Sequence, residues 1–460
     1  MAKPTYAELA LRCEQYERRI QELEAQVRKL TQMLEEATRA TKRQAAPFSK
    51  GKPKANPKRP GRKAGKQYGQ ASHRAAPSAD QIDETYEARL PRTCPGCGGS
   101  VKCVHVADQY QTEIPRKPIR RRIRVFVGEC QRCGRRVQGR HPLQTSDALG
   151  AAASQLGPDL QATIVELNKR TGASYDKIRR LLHGVFDITV SNGGCAQVIL
   201  RAGRRLAPAH AAVKKAMAKQ SCVSPDETGW RVGGHKARLH VVASESLACY
   251  VIDPRRDASA AREVIGSDFD GVMVHDGWAP YDQFEEALHQ QCLAHLLRRC
   301  DTILEVATRG AVRFPRAVKD LLQDAMRLRE RRDAKEISPH GVRVAIGRLG
   351  ARLDRLLEGK RSNGRNRRFA QHLEKHRDEL FTFVLHRGVD ATNWRAEQAL
   401  RPAVVNRKVW GGNRTWRGAE AQSILMTVLQ TCLHRGRSSI DDISAALRGR
   451  IPRPLLLPGR

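Results

Sequence analysis

The feature that most constrains this chain is a change of period after residue 220. "SCVSPDE" reads as a short strand, and the Gly-Gly of "VGGHK" reads as a hairpin turn. "ARLHVVAS" and "LACYVID" read as two further strands joined at Glu245 and Ser246. "RDASAAREVIG" then reads as a helix, with Asp257 as N-cap and Gly266 as its stop. "GVMVHD" has the consecutive apolar residues of a strand buried on both faces, and "HQQCLAH" reads as a fifth strand leading into a long helix.

Three meandering strands, a helix, a strand, a helix and a strand is the order of a ribonuclease-H-like fold, in which the fourth strand lies parallel beside the first. Neighbouring strands are about 4.8 Å apart, so Asp226 on the first and Asp276 on the fourth can share metal ions. A carboxylate ending a buried strand is costly unless a cation, a proton or a metal compensates it, and Asp276 raises that question directly. Strand alternation sends Glu227 to the face opposite Asp226, while Asp253 ends the third strand, too far away for the same role.

Two carboxylates hold a magnesium pair incompletely. The best third acid is Glu397, about one turn into a helix that Asn393 can cap, with Arg401 one turn further on. Together with Arg407 and Lys408 it suits a helix lying on DNA phosphates with its acid at the metal. An exposed Glu-Arg pair explains the same spacing equally well.

The remaining chain reads as modules. Residues 6–40 carry a heptad pattern, with Cys13, Ile20, Val27 and Leu34 at one core position and Leu9, Tyr16, Leu23, Leu30 and Ala37 at the other, which argues an oligomerising coiled coil. The rival is one amphipathic helix packed on its own domain. Residues 41–80 form a basic linker; its core, "TKRQAAPFSKGKPKANPKRPGRKAGKQYGQ", holds ten basic residues and no acid, so it reads as disordered when free. Lys58, Arg59, Arg62 and Lys63 in this arm suit a phosphate backbone or a minor groove. Within residues 90–142, Cys94-x2-Cys97 and Cys130-x2-Cys133 offer four thiolates for a closed zinc site, hence a zinc ribbon with strands between the pairs. Cys103 and His105 are set aside because two complete pairs saturate zinc. Residues 150–212 read as three short helices compatible with a helix-turn-helix; plain helical packing fits equally. In "QCLAHLLRR", the Cys292-x2-His295 pair takes a supporting structural role and no ligand role. The tail, 436–460, reads as one short capped helix and is assigned no role.

Bulk properties agree with a nucleic-acid partner. Lys and Arg number 83 against 48 Asp and Glu, a formal charge of +35, and such a surplus usually has a polyanionic partner. Membrane-surface binding wants a basic amphipathic helix with large apolar residues opposite, and none is clear. No apolar run approaches a transmembrane length, and the start lacks a secretory h-region. The expected location is the bacterial cytoplasm with nucleoid association, its cysteines thiols or metal ligands.

"SPDETGWRVGG", "VMVHDGWAPYDQF", "CLAHLLRR" and "NWRAEQALRPAVVNRKVWGGNRTWRGAEAQ" resemble, in order, motifs of bacterial DDE transposases of the insertion sequence 66 family. The coiled coil, "PFSKG" linker and ribbon resemble that family too. The resemblance implies an α/β multidomain protein with a ribonuclease-H-like (retroviral-integrase-like) DDE domain over 218–435, interrupted by a helical insertion at about 301–388. It implies Asp226, Asp276 and Glu397 as catalytic acids holding two Mg²⁺ ions, with Mn²⁺ as a substitute, beside the structural Zn²⁺. It further implies cleavage at the element's 3′ ends and strand transfer into target DNA. Expected partners are the terminal inverted repeats, target DNA, further copies of the chain as a dimer or higher oligomer, and accessory proteins of the same element. Gln398 and Trp394 depart from the Arg and Asn that many relatives carry, which bears on fine positioning near this helix. Two rivals stand: a zinc-ribbon DNA-binding regulator with an inactive nuclease-like domain, and a ribonuclease-H-like nuclease without strand joining.

Overall fold

The computed structural model describes residues 15–23, 25–27, 30, 76–103, 105–112, 114–115, 117–144, 147–149, 155–359 and 361–450. Lys58, Arg59, Arg62 and Lys63 lie outside the described residues, as do residues 41–75 of the linker, most of 6–40, and 451–460 of the tail. The chain divides into two units, residues 1–113 and 114–460.

In the first unit, residues 15–23 and 25–27 are helical, and Tyr16, Ile20, Leu23 and Val27, all on the heptad stripe, are exposed. The unit also holds the first cysteine knuckle. Cys94 N–H donates to Gly99 O at 2.8 Å and Gly98 N–H to Cys94 O at 2.8 Å.

The second unit opens with a small antiparallel pair, β1 (Val127–Glu129) and β2 (Arg136–Gln138), around the second knuckle. Cys130 N–H donates to Arg135 O at 2.9 Å and Gly134 N–H to Cys130 O at 2.8 Å, the same pattern as the first. Residues 117–126, expected as strand, are not in regular structure. Pro118 supplies no ladder donor, and Ile119 and Ile123 beyond it are exposed.

Three helices follow: α1 (Pro158–Lys169), α2 (Tyr175–Phe186) and α3 (Asn192–Met217). Ser174 and Ser191 cap the second and third, accepting from Lys177 N and Gly194 N.

The central sheet has five strands: β3 (Cys222–Val232), β4 (His235–Ala243), β5 (Ala248–Asp253), β6 (Val272–His275) and β7 (Leu288–Gln291), with α4 (Ser259–Ile265) between β5 and β6. Their spatial order is β5-β4-β3-β6-β7. The first three pair antiparallel, and β3-β6 and β6-β7 pair parallel. The fourth strand therefore lies beside the first, as its position in the chain led us to expect. The cap of α4 differs slightly: Ala258 holds the cap position, and the Asp257 carboxylate accepts from Ser259 N–H at 2.9 Å.

After β7 come α5 (Leu293–Leu304), α6 (Arg313–Asp333), α7 (Pro339–Leu357), α8 (Gly364–Lys375) and the short α9 (Thr382–Leu385). They bury Leu296, Leu321, Leu353 and Phe369 in one cluster with Val272 and Val274 of β6. The chain then returns through α10 (Trp394–Trp410) and ends in α11 (Trp416–His434) and α12 (Ser439–Leu447). Ala396, Ala399 and Ala403 of α10 pack on Trp230, Leu239 and Val241 of the sheet.

Helices α1–α3 do not stand apart. Ile164, Ile178 and Val198 share a core with Ile424, Leu425 and Leu429 of α11 and Ile443 of α12. Among the described residues no helix is long and apolar enough to cross a membrane.

Candidate active site

The pairing of β3 with β6 sets the site. Cys222 opposes Val272 and Val223 opposes Met273, and their pairing ends there. Asp226 and Asp276 each lie three residues beyond Val223 and Met273, so both acids face the mouth that opens where the strands part. Asp226 follows the alternation of Thr228, Trp230 and Val232, the face covered by α10. Glu397 lies in the first turn of that helix.

Asp226 is the most perturbed of the three acids. Burial pushes its carboxyl up to about 7, and the Asp276, Glu227 and Glu397 carboxylates add to this, against a stabilising bond from the Glu227 amide at 2.8 Å. A buried carboxyl raised in this way by neighbouring acids, in a cleft, marks a candidate functional site.

Asp276 is not the buried charge expected at the end of a buried strand. Regular strand ends at His275, and the Asp276 carboxylate is exposed, accepting from Trp278 N–H at 3.0 Å. Its position therefore carries no large desolvation cost. Gly277 explains the next residue: its φ is +85°, and a Cβ there would lie 2.6 Å from Gln291 Oε1 and 2.9 Å from the His372 ring.

Glu397 is held differently. Its Oε1 lies 3.0 Å from Arg298 Nη2 and 3.8 Å from His295 Nδ1. Among the described residues, the sets of three side chains with ligand atoms mutually within 4.8 Å are Cys292–His295–Glu397 and His275–His289–Glu379; Asp226, Asp276 and Glu397 are not such a set. Their all-oxygen donors suit a hard divalent cation such as Mg²⁺, and holding one jointly would require Glu397 to leave Arg298.

The neighbouring acids have other partners. Glu227 lies on the opposite face, as alternation requires, bound to Arg256 at 3.1 Å, and Arg256 covers the Trp278 ring. Asp253 pairs with Arg255 at 3.1 Å.

The basic residues of α10 separate into two kinds. Arg401 and Lys408 are exposed. Arg407 instead donates through Nη1 to Thr228 Oγ1 at 2.9 Å and Gly229 O at 2.7 Å, clamping the helix to β3. Asn393 occupies the cap position but its side chain makes no cap bond. Its main-chain N–H donates to Cys292 Sγ at 3.4 Å and its carbonyl accepts from Glu397 N. Trp394 and Gln398 are both exposed.

Several contributors escaped the sequence reading. Asn413 accepts from Trp230 Nε1 at 2.8 Å, and its main chain bridges Arg231 and Gly233, while Gly412 passes so close to Arg231 that a Cβ would meet its carbonyl. The turn residues of "WGGN", 410–413, were the available signal. Behind Asp276, Glu379 accepts from Gln291 and His376 and is drawn down to about 2, these bonds outweighing its burial. No spacing rule links His275, His289 and Glu379, which come from two strands and a distant turn.

A family model for the IS66 transposase family matches residues 153–421. The chain belongs to the IS66 transposase family. The match covers the helices α1–α3, the five-stranded sheet and α10, and the mixed α/β architecture is compatible with a DDE transposase core. Membership supports a transposase function, that of a nucleic-acid-processing enzyme. The heptad-patterned residues and both cysteine knuckles precede the matched segment. No curated protein matches the chain.

The Gly96 and Cys97 amides lower the Cys94 thiol, and those of Cys133 and Arg132 lower Cys130.

Proposed function

We propose that the chain is a DDE transposase with a ribonuclease-H-like catalytic domain, cutting the 3′ ends of its element and joining them to target DNA. The observation that carries this reading is the approach of Asp226 and Asp276 at the parting ends of β3 and β6, with Glu397 above them on α10. These three would hold a pair of Mg²⁺ ions, with Mn²⁺ as a substitute. The chemistry such a pair supplies when bound is activation of a water or 3′-hydroxyl and stabilisation of the leaving oxygen.

The chain's own residues do the rest. Asp226 must give up its proton before it can serve as a ligand, and a neighbouring cation favours that loss. Arg407 fixes α10 on β3 and so fixes the height of Glu397 over the two aspartates. Arg401 and Lys408, on the exposed side of α10, would lie against DNA phosphates. A cleft of about 600 Å³ beside β1 and β2, lined by Arg121, Arg122, Arg124 and Arg140, offers a second basic surface. The knuckle cysteines Cys94, Cys97, Cys130 and Cys133 would bind structural Zn²⁺, and the exposed heptad residues would pair copies of the chain. Association with the nucleoid and with accessory proteins of the element belongs to the same reading.

The test is end-specific nicking of a duplex carrying the element's terminus with Mg²⁺, compared with Asp226→Asn. Products formed only by the unaltered chain support the reading. Binding without cutting in both would favour a DNA-binding regulator.

A further inference from the structure

Helices α5 and α10 begin side by side. Leu293 N–H donates to Ala391 O at 2.9 Å, and Asn393 N–H donates to Cys292 Sγ at 3.4 Å. Cys292 and Asn393 hold the cap positions, and His295 and Glu397 project from the two first turns. A ligand atom of each of Cys292, His295 and Glu397 lies within 4.8 Å of the other two. Buried polar atoms here are left unsatisfied: His295 Nδ1 has no hydrogen-bond partner, and neither do Oδ1 or Nδ2 of Asn393, a residue only 1% exposed. The unsatisfied His295 Nδ1 lies 3.8 Å from Glu397 Oε1, too far for a hydrogen bond between them, and calls for a partner.

The donor set defines that partner. A thiol sulfur, an imidazole nitrogen and a carboxylate oxygen match the ligands of zinc-like cations and not those of Mg²⁺. Burial raises the Cys292 thiol, so without a cation it keeps its proton, but the amides of Asn393, His295 and Ala294 point at the sulfur and stabilise the thiolate once a cation is bound. Burial likewise lowers His295, leaving its ring neutral with a lone pair to give. The His295 and Glu397 side chains are about one-third exposed, which leaves a way in.

We propose that Cys292, His295 and Glu397 form a site for a thiophilic divalent cation such as Zn²⁺, and that its occupancy withdraws Glu397 from Asp226 and Asp276. On binding, sulfur–metal, nitrogen–metal and oxygen–metal bonds form, the thiol proton passes to solvent, and Arg298 yields its place on Glu397. Binding stands on the ligand geometry alone; the consequence, inhibition of DNA cutting by zinc in the presence of Mg²⁺, rests on the transposase reading.

The test adds Co²⁺ to the full chain, with zinc limited to the amount the four knuckle cysteines take up, and records sulfur-to-cobalt charge-transfer absorption. We expect a band that Cys292→Ser abolishes, that His295→Gln weakens at least tenfold in affinity, and that Asp276→Asn leaves in place. Serine keeps an acceptor for the Asn393 amide; if that variant nevertheless fails to fold, His295→Gln decides. A band unchanged in Cys292→Ser, or an unchanged affinity in His295→Gln, overturns the proposal. A chain that shows the Cys292-dependent band yet cuts no DNA overturns the transposase reading and leaves this one standing.

Discussion

His275 Nδ1 accepts the Gly277 N–H at 3.1 Å, across the residue that carries the Asp276 carboxylate. A backbone amide can only donate, so Nδ1 must be the acceptor and the ring proton must sit on Nε2. Nε2 then donates to His289 Nδ1 at 2.9 Å, and His289 donates in turn to Phe284 O at 3.0 Å. A row of fixed tautomers thus anchors the turn after β6, and burial, reinforced by His289, drives the His275 ring down to about 3 so that it stays neutral.

Removing that anchor separates its parts. His275→Leu leaves the Gly277 amide without its acceptor and is expected to cost about 1–3 kcal/mol. His275→Asn places an oxygen near the former Nδ1 and is expected to recover part of that loss, whereas Gln reaches the Nε2 position. Urea unfolding of the three variants checks the order, and equal losses in all three would deny the Gly277 bond its role.

Arg407 and Arg401 are predicted to differ although both sit on α10. Arg407→Ala should destabilise the fold by about 1–2 kcal/mol, since it unmakes the bonds to Thr228 and Gly229. Arg401→Ala should leave stability unchanged and weaken DNA binding, reducing the salt slope by about one. Thermal unfolding and binding at several salt concentrations measure both.

Lys169 gives the pH dependence its sign. Burial lowers this ammonium from 10.5 to about 7, with its Nζ bonded to Gln422 Oε1 at 2.5 Å. Between those values the unfolded chain holds a proton that the folded chain has released. Stability therefore falls as pH drops from 10.5 toward 7, by about 1.4 kcal/mol per pH unit from this group, and levels below. Lys169→Met should remove that slope, read by denaturant unfolding across the window.

The knuckles make a metal prediction. Cys97→Ser or Cys133→Ser should lower the zinc retained by the purified full chain, measured by atomic absorption, and a chelator should reproduce the loss. Zinc content equal to the unaltered chain's in both variants would contradict the ligand assignment.

What the sequence revealed follows the range of each signal. The strands and the Gly233–Gly234 turn were legible because alternation and turn chemistry are local, and the parallel placement of β6 beside β3 followed from the order of the elements. The burial of Asp276 was misread because an apolar run does not tell where the strand stops; it stops one residue earlier. The packing of α1–α3 on α11 was not legible, since Ile164 and Leu425 meet across most of the chain. The closeness of Glu397 to Cys292 and His295 was not legible because it comes from another helix, and the Arg298 that holds it carries no motif of its own.

The most direct measurement is cleavage and joining of a labelled duplex bearing the element's end, with Mg²⁺ or Mn²⁺, by the unaltered chain and by Asp276→Asn. Asparagine keeps the shape and removes the charge. We predict end-specific nicks and joined strands from the unaltered chain and a loss of at least a hundredfold in the variant. Equal cutting by both would contradict the placement of Asp276 among the catalytic acids.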